Sequence, residues 1–105
     1  MAFKIVISDR ALDDLSGIYD YIAIKLSNVR AAQKLRDNIF KTIDDIELFP
    51  YGCPIESIEK FAKLGYRRGV IRKNFIMFYK IDEANDRIII ARIIYAKRNL
   101  RELDV

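Results

Sequence analysis

The chain of 105 residues contains no histidine and a single cysteine, Cys53. Those two absences exclude a zinc site of the Cys/His type and an internal disulfide. Cys53 also lacks a histidine to serve as its base, so it reads as a plain loop residue rather than a nucleophile. Long apolar runs are missing too, and nothing approaches the ~20 residues needed to cross a bilayer. The opening Met1-Ala2-Phe3-Lys4-Ile5-Val6-Ile7 is too short for a secretory signal and carries no cleavage pattern. A cytoplasmic location without membrane contact is expected. No repeat or low-complexity segment interrupts the sequence, and nothing in it calls for a metal or a cofactor.

What is present is ordinary in amount and uneven in placement. Apolar residues make up 51% and charged residues 32% of the chain, which places it among folded globular proteins, as one domain spanning residues 1–105. The formal charge is +4. From residue 66 onward ten Lys/Arg face five Asp/Glu, whereas the first 65 residues carry nine against ten. A positive excess confined to one half of a domain points to a polyanion or an acidic protein as partner.

Local patterning predicts the elements. Phe3 to Ile7 alternates with β-branched residues and reads as a short strand, and Ser8-Asp9 supplies a helix N-cap. Leu12, Leu15, Ile18/Tyr19, Ile22 and Leu26 paint one face of a helix from about Asp9 to Leu26. Ser27-Asn28 breaks and recaps the chain. Val29, Ala32, Leu35, Ile39, Ile43 and Ile46 then define a second helix, stopped by Pro50. So short a link makes the pair an antiparallel αα-hairpin. Tyr51 to Leu64 reads as a connecting loop with room for a helical turn between Ile55 and Lys63. Strands follow at Tyr66 to Arg72, Phe75 to Asp82 and Arg87 to Tyr95, joined by a Lys73-Asn74 turn and by Glu83-Ala84-Asn85-Asp86. Phe75–Tyr79 and Ile88–Ile94 are apolar on both faces, so one face packs on the helices and the other is at least partly covered. The order β, α, α, then a three-stranded antiparallel meander specifies an α+β domain with both helices on one side of a single twisted sheet.

Four segments in this order resemble the RelE/ParE superfamily of toxins from type II toxin–antitoxin systems. They are Ile46-Glu47-Leu48-Phe49-Pro50, Gly65-Tyr66-Arg67-Arg68, the strand Asn74 to Asp82, and Ile94-Tyr95-Ala96-Lys97-Arg98-Asn99-Leu100. The resemblance implies a bacterial or archaeal protein that arrests growth unless a cognate antitoxin wraps it. It also implies one of two targets. RelE-type members cut mRNA in the decoding site of the translating ribosome, and ParE-type members poison DNA gyrase without hydrolysing RNA.

Cutting RNA through its own 2′-hydroxyl needs a proton acceptor, cations for the phosphate and a donor for the leaving oxygen. Without histidine, Lys, Arg and Tyr must supply these, and the nuclease candidates are Arg68, Arg72, Tyr95, Lys97 and Arg98. The candidates for target binding of either kind are Arg67, Arg68, Arg72, Arg92, Lys97 and Arg98. RelE-type toxins commonly carry an arginine after the aromatic that opens the central strand, and Ile76 stands there in this chain. The tail Arg101-Glu102-Leu103-Asp104-Val105 also lacks the tyrosine of the best-known nuclease branch. The closing Tyr95-Ala96-Lys97-Arg98-Asn99 looks closer to the ParE-type ending, so the expectation leans to a gyrase inhibitor, with the ribosome-dependent endoribonuclease as the alternative.

Each candidate also has a purely structural explanation. Arg92, in frame with Ile88, Ile90 and Ile94, must find a carboxylate or reach the sheet edge. Arg67, Arg68, Arg72 and Lys73 suit a solvated strand edge that resists aggregation. Tyr66, Tyr79 and Tyr95 suit core aromatics with a wet hydroxyl, and Tyr19, Tyr21 and Tyr51 on the helical half need no function. A non-toxic RNA-binding module is a third reading, in which Tyr66, Phe75, Phe78 and Tyr95 stack bases among basic residues. The Gly-aromatic motif of an RNA-recognition motif and the Gly-rich loop of a KH domain are both missing.

Overall fold

Ser8 ties the first helix to the sheet before the helix has begun. In a computed structural model that describes residues 3–72 and 74–103, its hydroxyl accepts from the Ala11 N–H at 3.1 Å and donates to the Ala91 carbonyl at 2.8 Å. Strand β1 (Lys4–Ile7) precedes it and helix α1 (Asp9–Asp20) follows. The expected helix to Leu26 changes character at Tyr21: residues Tyr21–Lys25 form a π-helical turn, a geometry that often marks functional segments. Ser27 then takes a positive φ of 50°. Asn28 restarts the chain as helix α2 (Val29–Leu48), its Oδ1 accepting from the Ala31 N–H at 3.0 Å. Pro50 disfavours a helical conformation for the residue before it, and α2 ends at Leu48 accordingly. The loop that follows includes a one-turn helix, α3 (Glu59–Ala62), closed by Gly65 at φ 81°.

Strands β2 (Arg67–Ile71), β3 (Phe75–Asp82) and β4 (Arg87–Tyr95) form the antiparallel meander. Lys73 of the expected turn lies outside the described residues, as do Asp104 and Val105 of the tail. The sheet order is β1-β4-β3-β2, with β1 parallel to β4 in the register Lys4↔Arg87 to Ile7↔Ile90. The sheet is therefore mixed, and the chain crosses from one edge to the other through the helical hairpin.

Both faces of the sheet are covered, as the doubly apolar strands require. On one side Ile39, Ile43 and Ile46 of α2 and Ala11 of α1 pack on Met77, Tyr79, Ile88, Ile90 and Ile93. On the other, Phe61 of α3 and Leu103 of the C-terminal segment pack on Tyr66, Ile76, Phe78, Ala91 and Ile94. A register shift between Phe78 and Tyr79, opposite Ala91, accounts for the changing phase along β4. It corrects the simple alternation, because Ile88 and Ile90 belong to the helix-side core and Ile94 to the opposite one. Tyr79 differs from a tyrosine with a wet hydroxyl: it is fully buried, and its O–H donates to the Pro50 carbonyl at 2.8 Å. Burial pushes its pKa well above the ordinary tyrosine value, aided by the neighbouring Cys53.

Candidate interaction site

The strand register gathers one set of the candidate residues. Ile71 lies opposite Phe75, and Phe75 opposite Tyr95, so the ends of β2 and β4 and the start of β3 lie in one row. Arg72, at φ 53°, leaves β2 there. Tyr95, Lys97 and Arg98 leave β4 there, held by the Ala96 N–H donating to the Asn74 carbonyl at 2.7 Å. Arg72, Tyr95, Lys97 and Arg98 are all exposed. Tyr95 meets Phe75 edge-on with ring centroids 5.6 Å apart and is 43% exposed.

A second set is placed elsewhere and is already engaged. Arg92 is 8% exposed, and its Nε and one terminal nitrogen donate to the two oxygens of Asp14 at 2.7 and 3.0 Å. The Ile93 N–H donates to the same carboxylate at 3.0 Å. Of the two explanations for Arg92, the geometry is that of an ion pair clamping α1 to β4. Arg68 makes a two-point pair with Glu56, Nε to Oε2 at 2.8 Å and a terminal nitrogen to Oε1 at 2.9 Å. Burial alone would raise the Glu56 pKa; the Arg68 guanidinium and the N–H groups of Ile58 and Ser57 outweigh it, so the carboxyl sits below its usual range. Arg67 donates to the Cys53 carbonyl at 2.6 Å and lies over the Tyr51 ring, 5.3 Å from its centroid. The Tyr51 hydroxyl donates in turn to Glu83, and that bond raises the tyrosine pKa.

Beside the exposed cations runs a groove of about 750 Å³ between α1 with its π-helical turn and the ends of β3 and β4. Ile18, Tyr21, Ile22 and Leu26 line one wall, and Phe75, Ile93, Ile94 and Tyr95 the other. Asp13, Asp14 and Arg98 add charge to this apolar lining. Gly17 also lines it, and a Cβ built there meets nothing within 4 Å. Helix interiors disfavour glycine by roughly 0.5–1 kcal/mol relative to alanine, and no packing within the chain demands this one. Tyr21 and Leu26, each 56% exposed, line this groove, a place that sequence patterning did not assign them. A glycine inside an apolar stripe was the available signal.

Among the described residues no three His, Cys, Asp or Glu side chains come together as metal ligands. No described helix is long and apolar enough to cross a membrane.

This mixed sheet backed by a helical hairpin has known counterparts. Residues 5–100 match the family described as the ParE toxin of the type II toxin–antitoxin system, parDE. The chain belongs to that family, within the RelE/ParE superfamily and on its ParE-like side. The fold is similar to a structure of the chromosomal ParDE toxin–antitoxin system from P. aeruginosa, with a TM-score of 0.73 and 18% identity over 90% of this chain and 96% of that one. It is also similar to the RelBE2 toxin–antitoxin complex from Mycobacterium tuberculosis, with a TM-score of 0.58 and 14% identity over 90% of this chain and 99% of that one. No curated protein sequence matches the chain significantly.

Proposed function

We infer that this ParE-type toxin arrests growth by inhibiting DNA gyrase, and that a cognate antitoxin neutralises it by occupying the groove beside Tyr95 and Arg98. The observation that carries the choice of target is Ile76. It stands where the nuclease branch of the superfamily carries an arginine, and it is 3% exposed, within the core formed with Phe61 and Leu103. A buried isoleucine offers no cation to a phosphate at that position. Arg68, a second nuclease candidate, is held by Glu56. The cations that remain at the surface, Arg72, Lys97 and Arg98, suit contact with an acidic protein face or with the phosphates of gyrase-bound DNA.

The groove accounts for neutralisation. Its apolar walls fit the apolar stripe of an amphipathic helix, and the adjoining cations attract acidic residues that flank it. A partner that is largely unstructured when free would fold along both, and the encounter would be steered by charge and weakened by salt. Ribosome-dependent mRNA cleavage is the second reading. Its support is that Arg72, Tyr95, Lys97 and Arg98, four of its five candidates, share one exposed end of the sheet.

Induced expression in bacteria separates the readings. Gyrase inhibition gives early induction of the DNA-damage response with translation continuing, and co-expression of the antitoxin restores growth. Collapse of translation with cuts in ribosome-bound mRNA selects the second reading. Normal growth at verified soluble expression removes both.

A further inference from the structure

On the side away from β3, the backbone of β4 is satisfied by a succession of different partners, and the succession stops inside the groove. β1 pairs with β4 only as far as Ile7↔Ile90. Past that point the Ser8 N–H donates to the Ile90 carbonyl at 2.9 Å, and the Ser8 hydroxyl donates to the Ala91 carbonyl at 2.8 Å. Further along α1, Asp14 accepts from the Ile93 N–H at 3.0 Å. The Ala96 N–H donates to the Asn74 carbonyl at 2.7 Å, and bonded pairs alternate along an antiparallel ladder, so the backbones of Ile94 and Arg92 bond to Ile76 and Phe78 of β3. Ile93 and Tyr95 therefore turn their backbone groups outward, as the bond from Ile93 to Asp14 independently shows. The Tyr95 carbonyl accepts from the Arg98 N–H at 3.0 Å. The Ile93 carbonyl and the Tyr95 N–H have no hydrogen-bond partner among the described residues.

α1 has nothing to offer these two groups. One turn beyond Asp14 on the same face stand Gly17 and Ile18, the first without a side chain and the second apolar. A Cβ built on Gly17 meets nothing within 4 Å, so the groove is open there. One acceptor and one donor thus lie in a lining that is otherwise apolar, between Ile18 and Tyr21 on one wall and Phe75 and Ile94 on the other. A wholly apolar helix seated over them would take both from water and return no bond, a loss comparable to that of a hydrogen bond for each.

The chemistry of the pair selects what covers it. A helix uses its own backbone groups internally, so it can answer only with a side chain. A carboxylate accepts but does not donate, and an ammonium donates but does not accept. A hydroxyl offers a single atom to two groups that flank Ile94, whereas a carboxamide offers a donor and an acceptor from one planar head. We propose that the antitoxin helix in this groove carries an asparagine or glutamine whose amide nitrogen donates to the Ile93 carbonyl and whose amide oxygen accepts from the Tyr95 N–H. That contact fixes the register of a helix whose other contacts are apolar, and it rejects a partner with an aliphatic residue at the same place, because the two backbone groups are then left unpaired. This rests on the toxin–antitoxin reading and names, within its groove, the contact that selects the cognate partner.

The probe is the purified product of the small acidic reading frame adjoining this gene, titrated against the full toxin chain with each of the probe's Asn and Gln residues changed in turn to Leu. One of these changes is expected to lower affinity on the order of tenfold, as loss of a hydrogen-bond pair gives. Exchange of the Tyr95 amide is slowed in the wild-type complex, and the same change restores its exchange. On the toxin side, Tyr95→Pro deletes an N–H that makes no bond to β3, and it binds on the order of tenfold more weakly than Tyr95→Ala, with melting curves to check folding. Should Tyr95→Pro melt early, amide exchange in the wild-type chain decides. A Tyr95 amide that exchanges as fast in the complex as in the unbound chain overturns the proposal and leaves the toxin–antitoxin reading standing. A protected Tyr95 amide that no Asn or Gln change releases also overturns it, by assigning the two groups to a hydroxyl or to the partner's backbone. Absence of any binding to the wild-type chain removes the toxin–antitoxin reading and this proposal together.

Discussion

Replacing Gly17 by leucine separates stability from recognition in one substitution. Gly17 sits inside α1, and a Cβ there meets no atom within 4 Å. Leucine is among the best helix formers, and glycine stands about 0.8–1 kcal/mol below alanine in a helix interior. With no clash at the Cβ to offset that gain, the folded state gains roughly 0.5–1 kcal/mol, which for a domain of this size raises Tm by about 2–8 °C. The same side chain projects into the groove shared with Tyr21, Leu26 and Tyr95. A partner helix seated there must then shift or repack, a change that costs about 1–3 kcal/mol, or roughly 5- to 150-fold in affinity. Thermal melting and calorimetric titration with the antitoxin read the two effects, and a toxicity assay reads a third: co-expressed antitoxin protects less well. A lower Tm would refute the placement of Gly17 against open space. Unchanged affinity would refute the groove as the antitoxin's seat.

Asp14→Ala removes the carboxylate that the buried Arg92 guanidinium and the Ile93 N–H share and costs about 3–5 kcal/mol by denaturant titration, with Asp14→Leu/Arg92→Met recovering much of the loss. Lys97→Ala/Arg98→Ala lowers toxicity while changing stability by less than about 0.5 kcal/mol, because both residues are exposed. Antitoxin binding largely survives that pair of changes, since the groove's apolar walls are untouched. Glu56 has a lowered folded-state pKa, so its contribution is fully present above the unfolded value near 4.3 and is lost as pH falls through the folded value. Melting curves taken from pH 6 downward therefore show a decline below about pH 5, and the decline is shallower in Glu56→Gln.

Much of the scaffold was legible because it is encoded locally. Ser8 and Asn28 announce the two helix starts, Pro50 the end of the second, and the stripe Ile39-Ile43-Ile46 the face that meets the sheet. The partner of β1 was not legible, because a parallel pairing across more than 80 residues leaves no local trace. Nor was the register shift opposite Ala91, since an all-apolar run such as Ile88 to Ile94 satisfies either phase. At the site, exposure of Lys97 and Arg98 followed from their place just after a strand. The engagement of Arg68 by Glu56 and of Arg92 by Asp14 did not, because each carboxylate comes from a distant element and sequence gives charge without a partner. Asp14 carried a weak signal, an acid beside Ala11, Leu15 and Ile18 on the buried face of α1. The groove was missed because its walls come from α1 and from the far ends of β3 and β4, which only the folded chain brings together.

Which machine the exposed cations reach decides the function, and a supercoiling assay asks this directly. Purified protein, free of antitoxin, is added to DNA gyrase with relaxed plasmid and ATP, and supercoiled product is followed against protein concentration. The expected result is dose-dependent inhibition, relieved by stoichiometric antitoxin and weakened in Lys97→Ala/Arg98→Ala. Full supercoiling at saturating protein, from a preparation that cleaves mRNA on programmed ribosomes, would contradict the reading of Ile76 and move the function to the nuclease branch.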